Sequence, residues 1–172
     1  LKQPPMVNQV TAVSTPTKDN TPSYTFKSSK AGTITYGGNC SSSTTSATAG
    51  NNTIAFNTLS EGTYSKCTLY VTSSSGKKGN TLSVTPFIVD TTAPSISHET
   101  LVTSITNDTT PSYAFSSNDA GTISYGGSCS SGTSSANSGT NSITFNTLSD
   151  GTYHNCTITV NDTAGNASNT LS

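Results

Sequence analysis

The chain has 172 residues, 30% of them hydrophobic and 9% charged, with no tryptophan, a formal charge of -1 and a pI near 6.0. Without a basic excess it gains nothing from counterion release, which argues against a nucleic-acid partner, and no apolar run approaches the roughly 20 residues of a membrane-spanning helix. Serine and threonine make up roughly two-fifths of the chain, a bias toward strands and turns that leaves little room for helix.

In chain order, Leu1 to Pro5 aligns with Asp90 to Pro94, so the chain opens on a leading linker over 1–6 of the same kind as the linker over 90–94. Proline and short polar residues favour an extended, stiff connection there. Val7 to Val13 reads as a first strand. After turn chemistry at Thr15 to Pro22, Tyr24 and Phe26 alternate with polar residues along a second, and Ile34 and Tyr36 repeat the pattern until Gly37-Gly38 ends it. Cys40 to Asn52 is poor in apolar residues and is expected to run as a long meandering edge with at most one short strand. Ile54 and Phe56 mark the next strand, Leu59 packs below it, and Cys67, Leu69 and Val71 face one way in the one after; Leu82 and Val84 close the sheet.

The whole pattern then recurs. GTITYGGNCSSS and NTIAFNTLSEGTYSKC return as GTISYGGSCSSG and NSITFNTLSDGTYHNC, about 89 residues later, and roughly 38 of the 63 positions from Thr21 to Ser83 match their counterparts. That period suits one small sandwich domain better than a solenoid unit. The expected architecture is all-β, with two tandem antiparallel sandwiches of about seven strands each, over 1–89 and 90–172. Ser172 aligns with Ser83, so the second repeat has no counterparts of Val84 to Val89. Its last strand is expected either to be continued by the natural chain or to be donated by another molecule. No basic-then-apolar leader opens the sequence, which reads as a mature region or an excised piece.

The four cysteines fall as one pair per repeat, Cys40 with Cys67 and Cys129 with Cys156. Zinc would require closely spaced ligand pairs that neither repeat contains. A disulfide in each repeat, and with it an extracellular or cell-surface setting, is the preferred reading over free buried thiols. Such a cross-link stabilises a domain with a thin core by about 3 to 4 kcal/mol.

The corner LSEGTYSKC resembles the entry to the sixth strand of immunoglobulin-like domains, with Tyr64 and Tyr153 as the corner tyrosines. Each lies three residues before its cysteine rather than two, which predicts a β-bulge between them. The pairing of DTTAP with NDTAGN at Asn161 to Asn166 resembles the bacterial immunoglobulin-like repeats found in tandem in surface adhesins. That resemblance implies a stalk, spacer or fibre-forming segment contacting neighbouring repeats. Calcium at the junction, held by Asp90 and Asp162, is a further implication, set against turn aspartates that merely close hydrogen bonds.

No constellation suggests catalysis, and the chain is not expected to be an enzyme: His98 and His154 have no repeated counterpart, and the acids are scattered. The alternative to a structural repeat is a carbohydrate- or ligand-binding module, using the Ser/Thr-rich edge and its tyrosines, although Tyr70 itself reads as a cross-strand packing residue rather than a sugar platform. Charge is divided unevenly. Residues 1–89 hold all seven lysines against Asp19 and Glu61, a net +5, and the remainder holds six acids and no lysine, a net -6. Such polarity predicts self-association into fibres through a basic first repeat and an acidic second one.

Overall fold

The computed structural model describes residues 3–172; Leu1 and Lys2, the first two residues of the expected leading linker, lie outside them. The chain divides into two compact units, Leu1–Thr91 and Thr92–Ser172, two residues later than the sequence boundary at 89/90. Among the described residues there is no helix.

The first unit has nine short strands among the described residues, rather than seven. A three-stranded antiparallel sheet has the order β1 (Val7–Thr11), β2 (Ser23–Ser28), β5 (Gly50–Ala55). A four-stranded sheet has the order β4 (Ser46–Ala47), β3 (Gly32–Gly37), β7 (Thr68–Thr72), β8 (Leu82–Ser83). Alternation directs Tyr24, Phe26 and Ile54 from the first sheet and Ile34, Leu69 and Val71 from the second into a single hydrophobic cluster. The remaining pair, β6 (Gly62–Tyr64) with β9 (Phe87–Val89), is antiparallel, and Val89 also bridges Thr17 in parallel.

The second unit has six strands among the described residues. One sheet orders β10 (Ile96–Thr100), β11 (Ser112–Ser117), β14 (Gly139–Thr144), and the other β13 (Ser135–Ala136), β12 (Gly121–Gly126), β15 (Thr157–Asn161). Registers repeat those of the first unit: Tyr24 opposes Ile54 as Tyr113 opposes Ile143, and Ile34 opposes Val71 as Ile123 opposes Val160.

Two expectations change. The edge after Cys40 does not meander as far as Asn52, because β5 begins at Gly50 and β4 precedes it. Side chains supply the order that apolar packing does not: the Tyr36 hydroxyl donates to the Thr44 carbonyl (2.6 Å), the Ser42 hydroxyl to the Ala55 carbonyl (2.6 Å), and the Asn52 amide to the carbonyls of Thr48 and Gly50 (3.0 Å each). Tyr125, Ser131 and Asn141 repeat these bonds in the second unit. Register shifts of the bulge kind occur between Gln9 and Thr11 and between His98 and Thr100, on the first strand of each unit rather than at the cysteine corner.

Candidate functional site: the disulfide corner and its groove

Each corner is built by a tyrosine, a disulfide and a glycine turn. Tyr64 donates its hydroxyl to the Ser60 carbonyl and Tyr153 to that of Ser149, both at 2.8 Å, closing a loop over the Gly turn between them. Cys40–Cys67 and Cys129–Cys156 are disulfide-bonded, each with Cα atoms 5.2 Å apart and a sequence separation of 27. Gly38 makes room for the corner. Its φ is +70°, and a Cβ there would collide with the Lys66 carbonyl oxygen; Gly127 faces Asn155 in the same way.

The three-residue spacing is absorbed by a break rather than by the expected bulge. In the first unit β6 ends at Tyr64 and β7 begins at Thr68, so 65–67 leave the regular ladder and both Tyr64 and Cys67 turn to the core. Tyr64 stacks on Phe87 of β9 at 5.3 Å between centroids, Phe87 stacks on Phe56 at 6.0 Å, and Phe56 on Tyr24 at 5.9 Å. Four rings thus form one column. Backbone bonds hold β9 on its other side, with Thr17 donating to the Ile88 carbonyl and Asp90 donating to the Thr17 carbonyl, both at 2.9 Å.

In the second unit the place of β9 is a groove of about 830 Å³. Phe145 and Tyr153, counterparts of Phe56 and Tyr64, line it, and Tyr153 is 37% exposed. Here Tyr113 stacks on Phe145 at 6.2 Å and on Phe115 at 6.3 Å. Leu101 and Ile105 stand beside the groove, 65% and 89% exposed, at the positions that Ala12 and Pro16 hold in the first repeat.

Gln9 and His98 occupy equivalent places at one end. Tyr24, whose hydroxyl pKa is pushed up to about 12 by burial, donates to the Gln9 side-chain oxygen at 3.1 Å. Gln9 also receives the Thr85 amide at 3.1 Å and donates its own amide to the Thr85 hydroxyl at 2.8 Å. His98 lies on the surface, yet its Nδ1 is 2.7 Å from the hydroxyl of Tyr113, whose pKa burial likewise raises. His154 is exposed. Tyr70 is not an open platform. It is half-buried, with Lys78 Nζ 4.0 Å over its ring centroid.

Asp162 is buried and closes its own turn. Burial alone would raise its carboxyl, but the Asn166 side chain (2.8 Å), the Asn166 backbone amide (2.9 Å) and the amides of Gly165 and Ala164 outweigh it and hold the group below the ordinary carboxylate range. A carboxylate surrounded by N–H donors presents no free face to a cation. Asp90 belongs to the other unit, and within either unit no three His, Cys, Asp or Glu side chains cluster as metal ligands among the described residues.

Sequence reasoning missed Asn80 and Asn169. Asn80 accepts the Val7 amide at 2.8 Å and donates to the Val7 carbonyl at 2.9 Å, and Asn169 treats Ile96 identically at 2.8 Å each. Each amide side chain thereby stands in for a strand neighbour along the first strand. The signal was their recurrence at the same offset in NTLS.

Residues 92–172 match the family model described as the bacterial Ig-like domain, a span that coincides with the second compact unit. Comparison with curated proteins gives no match. The disulfide-linked all-β unit over residues 92–172 is thus similar to the bacterial Ig-like domain family, over just under half of the chain.

Proposed function

We propose that the chain is a tandem pair of immunoglobulin-like sandwiches serving as an extracellular structural segment, a spacer or fibre-forming stalk of a bacterial surface adhesin or filament. The observation that carries this reading is that the two units repeat their internal supports one for one. The corner tyrosine, the disulfide, the Asn clip and the hydroxyl ties of the edge all recur at equivalent positions. Selection for a binding surface would preserve an outward constellation. Here the matched polar side chains bond inward to backbone, as a module under tension requires. The half-buried Tyr70 under Lys78 supports the same preference over a sugar-binding face.

Single-molecule force spectroscopy tests this. Two unfolding events are expected, and reduction should lengthen each by about 90 Å, the contour of the 27-residue span locked by each disulfide. Saturable binding on a glycan array would instead favour the ligand-binding module. Lateral or end-to-end assembly is part of the proposal, through a first unit rich in lysine and a second without any. Sedimentation at low ionic strength should show association that fades as salt shortens the screening length to about 8 Å; association indifferent to salt would remove charge as its cause.

A further inference from the structure

We propose that β5 of the first unit and β14 of the second are complementary open edges, and that β5 of one molecule pairs with β14 of a second copy of this chain. The proposal deepens the assembly part of the function proposed above and rests on it. Both strands have six residues, and both stand last in their sheets, in the orders β1-β2-β5 and β10-β11-β14. The ladder fixes which backbone groups turn outward. Phe56 donates its amide to the Pro22 carbonyl and Phe145 to that of Pro111, so by the two-residue alternation Ile54 and Ile143 bond to the neighbouring strand, while Asn51, Thr53, Thr140 and Ser142 point their amides and carbonyls away from it. These four residues are exposed. The outward side is engaged near the end of each strand, where the Ser42 hydroxyl donates to the Ala55 carbonyl and the Ser131 hydroxyl to that of Thr144; the described residues supply no partner for the four outward backbones before it.

An open edge invites pairing, and the other edges of the first unit are blunted. β1 carries the register shift and the Asn80 clip, and β4, β6 and β8 are two or three residues long. β5 and β14 contain neither a charge nor a proline. The open side of β5 persists with β8 and β9 both in place, so it follows from the strand order itself. Charge selects the partner and the direction. A β5–β5 contact would join two units of net +5, and a β14–β14 contact two of net -6. Lys27 stands opposite Asn51, and Lys30 lies just past the end of β2, where Ser28 opposes Gly50; in the second unit Asp119 lies just past the matching pair of Ser117 with Gly139. A parallel β5–β14 contact therefore sets Lys27 and Lys30 of one copy beside Asp119 of the other, whereas an antiparallel one separates them by the length of the strand.

The test uses the whole chain, with sedimentation over a range of protein concentrations at low ionic strength. Thr53→Pro and Ser142→Pro each remove one outward amide and leave the bonds to β2 and β11 in place, and each should weaken association about tenfold. Thr53→Ala and Ser142→Ala keep the backbone and should leave association unchanged. Asp119→Lys should weaken it, and adding Lys30→Asp to that variant should restore part of the loss. Hydrogen exchange on the unaltered chain reads the contact without any substitution: the amides of Asn51, Thr53, Thr140 and Ser142 should slow together as the protein associates. Protection of Asn51 and Thr53 alone assigns a β5–β5 contact and overturns the proposal, as does association that neither proline weakens. Association that fades with salt while these four amides exchange freely keeps the charge reading above and removes this one. Absence of association at millimolar concentration removes both, and the two unfolding events under force still test the structural segment.

Discussion

The segments EGTY at 61–64 and DGTY at 150–153 are nearly the same sequence, yet the first contains a strand and the second does not. In the first unit Phe87–Val89 pairs with Gly62–Tyr64 and extends the aromatic column to four rings, whereas the described residues of the second unit include no counterpart of Phe87–Val89. Among the described residues the buried hydrophobic clusters hold 16 and 11 residues. A backbone segment with strand-compatible residues stays irregular until something accepts its hydrogen bonds.

Removing the ring that makes this difference should have the largest effect. Phe87→Ala is expected to cost the first unit about 3 to 5 kcal/mol, and Tyr64 should become as exposed as Tyr153. Urea denaturation followed by tyrosine fluorescence measures both, and an unchanged Tyr64 environment would show that the corner stands without β9.

Disulfide removal sharpens the comparison next. Replacing either cysteine pair with serine should lower stability by about 3 to 4 kcal/mol from loop entropy alone. The entropic loss is equal for equal loops. The two variants should therefore lose similar increments, as read by urea denaturation; a clearly unequal loss would show that the cross-links bear differently on their two units.

The Asn clips should behave alike in the two units. Asn80→Ala and Asn169→Ala each leave an amide and a carbonyl of the first strand without their side-chain partner, at about 1 to 3 kcal/mol. Hydrogen exchange at Val7 and Ile96 should accelerate in the matching variant only.

The smallest effect separates the units by pH. Asp162 has a depressed folded pKa, so its contribution is present above the ordinary carboxylate value near 3.9 and is lost as pH falls through the lower folded value. The equivalent residue, Ser73, closes its turn with a hydroxyl that does not titrate, accepting the Lys77 amide at 3.2 Å. Melting below about pH 4 should therefore lower the second unit's transition more than the first's, and Asp162→Ser should remove that excess. An acid response unchanged by the substitution would place its origin elsewhere.

Much of the architecture was legible along the chain. Period-two apolar residues mark the long strands, and the 89-residue offset separates the units to within two residues. One cysteine pair in each repeat suggested the cross-links. These are local or repeating signals. The clips, the early start of β5 and the first-strand bulge were not legible, because each depends on a polar side chain or backbone group meeting a partner distant in sequence. The N–H groups that surround the Asp162 carboxylate were likewise not legible.

Sequence alone determined which residues could face a core, where the repeat turns, and that each corner would hold a tyrosine near a cysteine. Tertiary structure decided that Gly62–Tyr64 becomes a strand. Alternation is a property of the chain, whereas a strand's hydrogen bonds belong to a pair of segments, and Gly62–Tyr64 finds its second segment in Phe87–Val89, 25 residues on.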